Sequence, residues 1–525
     1  MRFFQVENAP KNKRKQLMRI AIMKNRNYSI FFRFIFKIRN PERADQMKNI
    51  SWHLDESRSF GTVPEDIYGG FVEHLGRNVY GGVWEPGSPA ADEEGFRKDV
   101  RMLVRELGMP VTRYPGGCFT DLYRWEDGVG PERRAKLDPA WHQLEPNTFG
   151  LHEFIRWAEK AGTRPLITVN TANRSVLDTQ ALYEYCNFPR GTFQSDRRRA
   201  NGAEKPFGIR DWCLGNELYG SWEIGQMDAA EYGRTVREHA KLLKQLDPDC
   251  RLIACGQPDN QDWNRTVLEL AGGFIDMLSL HTLFNHGENA DEQDYLKSVD
   301  VFETQIIETE KLLHEFELKS GRRVGISADE WIIWNLERGM KPEEEWTCGM
   351  HLLEQNYTIL DALIAGSLLS CFQRHPGSVK LACIAQSVNV IAPIRTEKDG
   401  TSWKQSIFHP FALTSKYGRG LSLEPEETGN ESGDLYGSAV LSGTGTELTL
   451  FLTNRGSEAI RFSAETDFSG VPAECLTLHH DNHSASNGKD AEVIRPQKLE
   501  AEFTEKKLQA VLPPFSWNMI RLKTK

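Results

Sequence analysis

The sequence predicts an α/β protein, a (β/α)8 TIM barrel carrying a C-terminal all-β sandwich of jelly-roll type. Three observations lead there. From about residue 62 to 405, short apolar runs alternate with amphipathic helical stretches, as parallel strands joined by crossover helices require. After about residue 410 the runs become short, often alternate apolar with polar, and are separated by Gly, Asn, Asp and Pro, the pattern of two packed antiparallel sheets. No Gly-x-Gly-x-x-Gly follows the first strand, so the rival doubly wound dinucleotide fold lacks its signature.

In chain order, residues 1–48 form a basic leader with 13 Lys and Arg against 3 Asp and Glu. Its apolar patch, Ile30-Phe31-Phe32-Arg33-Phe34-Ile35-Phe36, is too short to cross a bilayer and is interrupted by Arg33. No small-residue cleavage site follows it. The leader reads as a disordered or misassigned start, with Met47 as an alternative initiator and a membrane-surface or polyanion-binding arm as the other reading. Residues 49–61 are expected to lend a strand to the sandwich. The catalytic barrel is expected over 62–410, with strands at 67–73, 111–115, 165–170, 211–217, 251–256, 276–283, 324–331 and 380–386. Helical spacing of apolar residues marks 96–107, 149–161, 230–246, 302–318 and 350–369. The sandwich is expected over 411–525, with strands at 435–441, 447–454, 460–465, 475–479, 509–512 and 517–522.

Composition narrows the function. The 525 residues are 39% apolar and 26% charged, enough for a packed core. Beyond the leader, 51 basic residues face 71 acidic ones, which argues against a nucleic-acid partner. Nine cysteines without a Cys-x-x-Cys pair argue against a disulfide framework or zinc ribbon and for reduced thiols in the cytoplasm. No run of 18 apolar residues is present, so no stable membrane association is expected. His479, His480 and His483 share a turn, but no Cys or carboxylate completes a zinc spacing. Neither a His-Glu-x-x-His, a P-loop, an EF-hand nor a Gly-x-Ser-x-Gly elbow occurs.

In such a barrel the chemistry gathers at the C-terminal ends of the strands. Glu217, in Leu214-Gly215-Asn216-Glu217, ends the fourth expected strand, and Glu330, in Ser327-Ala328-Asp329-Glu330-Trp331, ends the seventh. Two carboxyl groups across one pocket suit glycoside hydrolysis, one protonated as acid and one ionised as nucleophile or base. Glu73, Arg113, Asn170, His281 and Gln386 also sit at strand ends. Trp125, Trp141, Trp331 and Trp334 are aromatic faces available to a sugar ring, although each is also an ordinary core residue.

On these residues the chain resembles the α-L-arabinofuranosidases of glycoside hydrolase family 51. The resemblance runs from about residue 58 to 525. Besides the two Glu segments it includes Ile67-Tyr68-Gly69-Gly70-Phe71-Val72-Glu73-His74-Leu75-Gly76-Arg77, Arg113-Tyr114-Pro115-Gly116-Gly117, Trp125-Glu126-Asp127-Gly128-Val129-Gly130-Pro131 and Ala385-Gln386-Ser387-Val388-Asn389-Val390-Ile391-Ala392-Pro393. It implies Glu217 as general acid/base and Glu330 as nucleophile of a retaining, exo-acting enzyme that releases terminal arabinofuranosyl residues from oligo- or polysaccharides. It implies that Asn216 contacts the sugar 2-hydroxyl and that Glu73, Arg113, Cys118, Trp141, His281 and Gln386 line the pocket. It further implies a cytoplasmic homo-oligomer, often a hexamer, with no metal and no cofactor. The chain departs from the family at Leu283, where a Tyr usually bonds the nucleophile, at Cys118, often Asn, and in the turn Leu218-Tyr219-Gly220-Ser221. These departures leave two rival expectations, a glycosidase for another pentoside or a β-glucan, and a sugar-binding homologue with impaired turnover.

Overall fold

The computed structural model describes residues 47–287, 291–336, 346–504 and 506–524. The basic leader lies outside them except for its last two residues. Eight strands build the barrel: β1 (Gly70–Phe71), β2 (Val111–Tyr114), β3 (Arg164–Val169), β4 (Asp211–Leu214), β5 (Arg251–Cys255), β6 (Met277–Ser279), β7 (Gly325–Ile333) and β8 (Val379–Ile384). Each pairs in parallel with the next, and a parallel bridge between Gly69 and Cys383 closes the ring. Alternate residues point inward. Val111, Leu166, Cys213, Ile253, Met277, Leu381 and Cys383 fill the lower interior with apolar side chains. Two residues further along their strands, Arg113, Thr168 and Ser279 are buried as well, so the interior turns polar toward the C-terminal end.

Some expected elements are redrawn. The first strand, expected over 67–73, is a 3-10 turn, Glu65–Tyr68, followed by only two strand residues. Asp66 in that turn receives Arg164 and Arg251, each at 2.8 Å, and this pairing ties the turn to β3 and β5. The sixth, expected over 276–283, breaks at Leu280-His281 into Met277–Ser279 and Thr282–Phe284, both paired with β7. The helix expected over 350–369 is Ile359–Arg374, and Ile359 through Gln373 are all buried. A helix with no wet face has no amphipathic period to read, so its start was misplaced. Helices Val176–Asn187, Phe193–Ala200, Gln261–Ala271 and Phe408–Tyr417 are additional.

The sandwich has a seven-stranded and a five-stranded sheet. The larger takes Ser59–Thr62 at one edge and Leu435–Ser442, Glu447–Asn454 and Ser516–Lys523 at its centre. The smaller is centred on Ile460–Thr466, which pairs in parallel with Lys48–Leu54. Inward residues such as Trp52, Leu450, Phe462 and Ile520 form its own core. The other face of the larger sheet, with Val440, Phe451, Trp517 and Met519, joins the barrel core by packing on helix Ile359–Arg374. Gly366 permits that contact, because a Cβ there would lie 2.2 Å from Trp517 Cδ1. The division expected at 410/411 falls inside helix Phe408–Tyr417, which packs on helix Lys98–Leu107. Among the described residues no helix is long and apolar enough to cross a membrane.

Candidate active site

A bulge within β7, between Ala328 and Trp331, shapes the centre of the site. Ala328 pairs with Ala382 but Trp331 with Ile384, so three steps along β7 match two along β8. A bulge re-aims side chains, and here the adjacent Asp329 and Glu330 both reach Arg113. Its Nε lies 3.4 Å from Asp329 Oδ2, and Nη1 donates to Glu330 Oε1. Arg113, on β2, is 1% exposed. Its Nη2 donates to Asn216 Oδ1 (2.8 Å) and its Nε to Thr168 Oγ1 (3.2 Å). Gly117 leaves room for this contact, since a Cβ there would stand 2.7 Å from Glu330 Oε1.

Asn216 and Glu217 follow β4 after the single residue Gly215. Glu217 takes φ +45°, a left-handed conformation costing a non-glycine residue about 1–2 kcal/mol. Its Oε1 lies 2.7 Å from His281 Nδ1, and its Oε2 accepts from Trp222 Nε1 (2.8 Å). His281 Nε2 lies 3.7 Å from Asp329 Oδ2, and Nδ1 lies 3.9 Å from Glu330 Oε1. One carboxylate oxygen of each Glu and one His281 nitrogen all lie within 4.8 Å of one another.

The charges are interlocked. Burial works against a charge on His281, but Glu330, Asp329 and Glu217 outweigh it and push the imidazole up to about 10. Burial likewise opposes the charge on Asp329, yet Arg113 and His281 hold its carboxyl well below the usual range. For Glu217 burial is again overcome, chiefly by the His281 hydrogen bond, and the net displacement is downward. Glu330 is displaced upward, by burial first and by Glu217 in addition, against His281 and Arg113. The two glutamates therefore behave as one coupled pair, and in this structure the proton of the 2.7 Å His281–Glu217 contact rests on His281.

A second layer surrounds this centre. Glu73 accepts from Gly117 N (3.0 Å), Trp141 Nε1 (3.2 Å) and Gln386 Nε2 (2.6 Å). Burial and the charge of Glu330 nevertheless push Glu73 up to about 8. The structure thus brings Glu73, Arg113, Trp141, Asn216, Glu217, His281, Glu330 and Gln386 into one network. Cys118 stands on its edge, its sulfur within 4.8 Å of a Glu217 and a Glu223 oxygen. Asn170 serves the loop instead, donating to the carbonyls of Asp121 (2.8 Å) and Tyr123 (3.3 Å).

The tryptophans divide. Trp125 packs on Tyr185 (ring centroids 4.8 Å apart), Trp331 is fully buried beside Phe411, and Trp334 lies against the cluster of Leu75 and Leu352. Trp125 and Trp331 are core residues here and offer no face to a sugar. Trp222, 52% exposed, lies outside the expected set of site residues, as do Asp329, Thr168 and Glu223. Leu283 is 42% exposed and pairs with Ile332. Among the described residues the donor to Glu330 is Arg113.

Comparison with known proteins agrees in family. Residues 103–305 match the Alpha-L-arabinofuranosidase 1 domain and residues 329–516 the Alpha-L-arabinofuranosidase C-terminal domain. The chain is 39% identical over 500 residues to an intracellular exo-α-(1→5)-L-arabinofuranosidase 1 of Bacillus subtilis, spanning 91% of this chain and 99% of that one. It is 38% identical over 506 residues to an exo-α-(1→6)-L-arabinofuranosidase of Bifidobacterium longum, spanning 90% and 96%. Among solved structures, the family 51 α-L-arabinofuranosidase AbfB of Bifidobacterium longum superposes with a TM-score of 0.86 at 33% identity, over 91% of this chain and all of that one. The arabinose complex of the Thermotoga maritima α-L-arabinofuranosidase gives 0.81 at 31% identity, again over 91% and 100%.

Proposed function

The chain belongs to the glycoside hydrolase family 51 α-L-arabinofuranosidases, and on that premise we propose a retaining, two-step exo-hydrolysis with Glu217 as acid/base and Glu330 as nucleophile. The enzyme is a glycosidase that releases terminal non-reducing α-L-arabinofuranosyl residues. Its substrates are arabinose-containing oligo- or polysaccharides. Its compartment is the cytoplasm, in keeping with the intracellular relatives, and its assembly a homo-oligomer.

The observation that carries the mechanism is the facing of Glu217 and Glu330, with carboxylate oxygens within 4.8 Å. Retaining enzymes hold their carboxyl groups about 5–5.5 Å apart, whereas inversion needs about 6.5–9.5 Å to admit a water. Arg113 donates to Glu330 Oε1 and so favours its ionised, attacking form. Glu217 obtains its proton across the His281 contact. When substrate excludes water, an ion pair of Glu217 and His281 loses solvation, and the neutral arrangement with the proton on Glu217 gains. That proton goes to the glycosidic oxygen as Glu330 attacks the anomeric carbon. The glycosyl-enzyme then carries no charge on Glu330, the proton affinity of Glu217 falls, and Glu217 accepts a proton from the attacking water. Asn216, held through its Oδ1 by Arg113, is the residue we assign to the sugar 2-hydroxyl.

Aryl glycosides test the reading. Glu330→Ala is expected to abolish release from the aryl α-L-arabinofuranoside. Glu217→Ala is expected to retain glycosylation by substrates with good leaving groups and to recover turnover with azide, giving a glycosyl azide of retained configuration. Wild-type rates in both variants, or release from a xyloside or glucoside alone, would reject the assignment.

A further inference from the structure

Among the described residues three groups of side chains have possible metal-ligating atoms within 4.8 Å of one another. In two of them a protein cation already occupies the centre of charge. Arg113 donates to Glu330 in the Glu217–His281–Glu330 group. In the Glu303–Cys371–His375 group, behind the barrel, Arg374 Nε lies 3.2 Å from Glu303 and His375 bonds both Glu303 and Glu310. The third group, Cys118, Glu217 and Glu223, lies in the pocket wall beside the acid/base.

Apart from His281 against Glu217 and the charge of Arg113 felt at Asp121, this corner is lined by acidic groups. Among the described residues neither Asp121 nor Glu223 forms a salt bridge. Asp121 is 1% exposed, and neither of its carboxyl oxygens meets a hydrogen-bond donor. Its carboxyl abuts that of Glu223, and Glu223 in turn abuts the Cys118 thiol. Asn216 Nδ2 donates to Glu223 Oε1 at 3.0 Å, which fixes the carboxyl in place. Burial and the neighbouring carboxylates push Asp121 up to about 10 and Glu223 up to about 7, and hold the Cys118 thiol well above its ordinary value.

We propose that Cys118, Glu217 and Glu223, backed by Asp121, form a site for a thiophilic divalent cation such as zinc, which inhibits the enzyme by taking Glu217 as a ligand. A thiolate and two carboxylates, with water in the fourth position, match the donor set and coordination number of zinc. Zinc bonds of about 2.0–2.3 Å bring ligand atoms to about 3.3–3.8 Å from one another. Closing from within 4.8 Å therefore takes side-chain movement of about 1 Å. The cation enters from water and the Cys118 proton and carboxyl protons leave to water, with no change of oxidation state. Cation binding stands on these side chains alone, whereas inhibition also rests on the role proposed for Glu217.

Zinc chloride titrated into the full chain by calorimetry, in two buffers of different ionisation enthalpy, tests the site. One zinc per chain with proton release is expected. Cys118→Ser, nearly isosteric, is expected to abolish it. Asp121→Asn is expected to weaken it about 10–100-fold, as loss of an outer partner does, and Cys371→Ala to leave it unchanged. Cadmium is expected to give a thiolate charge-transfer band in the wild type that Cys118→Ser lacks. Equal zinc affinity in Cys118→Ser, a cadmium band that survives that substitution, or no binding to the wild type would overturn the site. Binding without loss of arabinofuranoside hydrolysis would overturn the inhibition and place Glu217 outside the ligand set.

Discussion

Neutralising Glu330 should move the proton affinity of Glu217 by an amount the geometry sets. Their nearest oxygens lie within 4.8 Å, and at an effective dielectric of about 20 two charges so placed repel by about 3.5 kcal/mol. That corresponds to about 2.5 pH units. On the proposed mechanism glycosylation of Glu330 removes its charge, so the pKa of Glu217 is expected to fall. The basic limb of kcat/KM reports the last proton to leave the carboxyl pair in the free enzyme. With an aryl α-L-arabinofuranoside whose leaving group departs readily, deglycosylation limits kcat, and its acidic limb reports Glu217 in the glycosyl-enzyme. The second is expected about 2.5 pH units below the first. Limbs that coincide to within about 0.5 pH unit would refute an electrostatic switch between these two carboxyls.

Other perturbations follow from the same contacts. Arg113→Met leaves Asp329 and Glu330 without their buried partner, and about 3–5 kcal/mol of stability is expected to go, read as a lower thermal midpoint, with kcat/KM down by about 100-fold or more. His281 rises from 6.5 to about 10 on folding, so its contribution to stability is complete below pH 6.5 and is lost as pH climbs to about 10. The thermal midpoint of the wild type should therefore exceed that of His281→Gln most at about pH 6, with the gap closing toward about pH 10. Gly366→Ala puts a methyl 2.2 Å from Trp517 Cδ1 and is expected to cost about 1–3 kcal/mol in urea unfolding, while kcat/KM stays near wild type because the contact lies between helix and sandwich.

Much of the architecture could be read from the pattern. Strands such as 111–115 and 251–256 are apolar, short and bounded by turn residues, and they lie within a residue of Val111–Tyr114 and Arg251–Cys255. Elements went astray where tertiary packing overrides local period. The first strand is cut to two residues by a turn that β3 and β5 hold through Asp66, and the all-buried helix Ile359–Arg374 has no polar face to announce its limits. Of the candidate site residues named at strand ends, all but Asn170 meet in one network, because every β-strand of a parallel barrel delivers its C-terminal end to the same rim.

The amino-acid order by itself determined which residues arrive at that rim, since period-2 alternation and strand termini are local properties. It could not determine who touches whom across it. Asp329 and Glu330 are adjacent in sequence and should face opposite sides of a regular strand. A one-residue bulge against β8 turns both toward Arg113. Glu223 sits six positions after Glu217 in an ordinary-looking turn, yet the fold backs it against Asp121 and Cys118 from another loop. Such couplings depend on distances between segments far apart in the chain. In a buried, water-poor pocket those distances decide which acid holds a proton, and only the tertiary structure sets them.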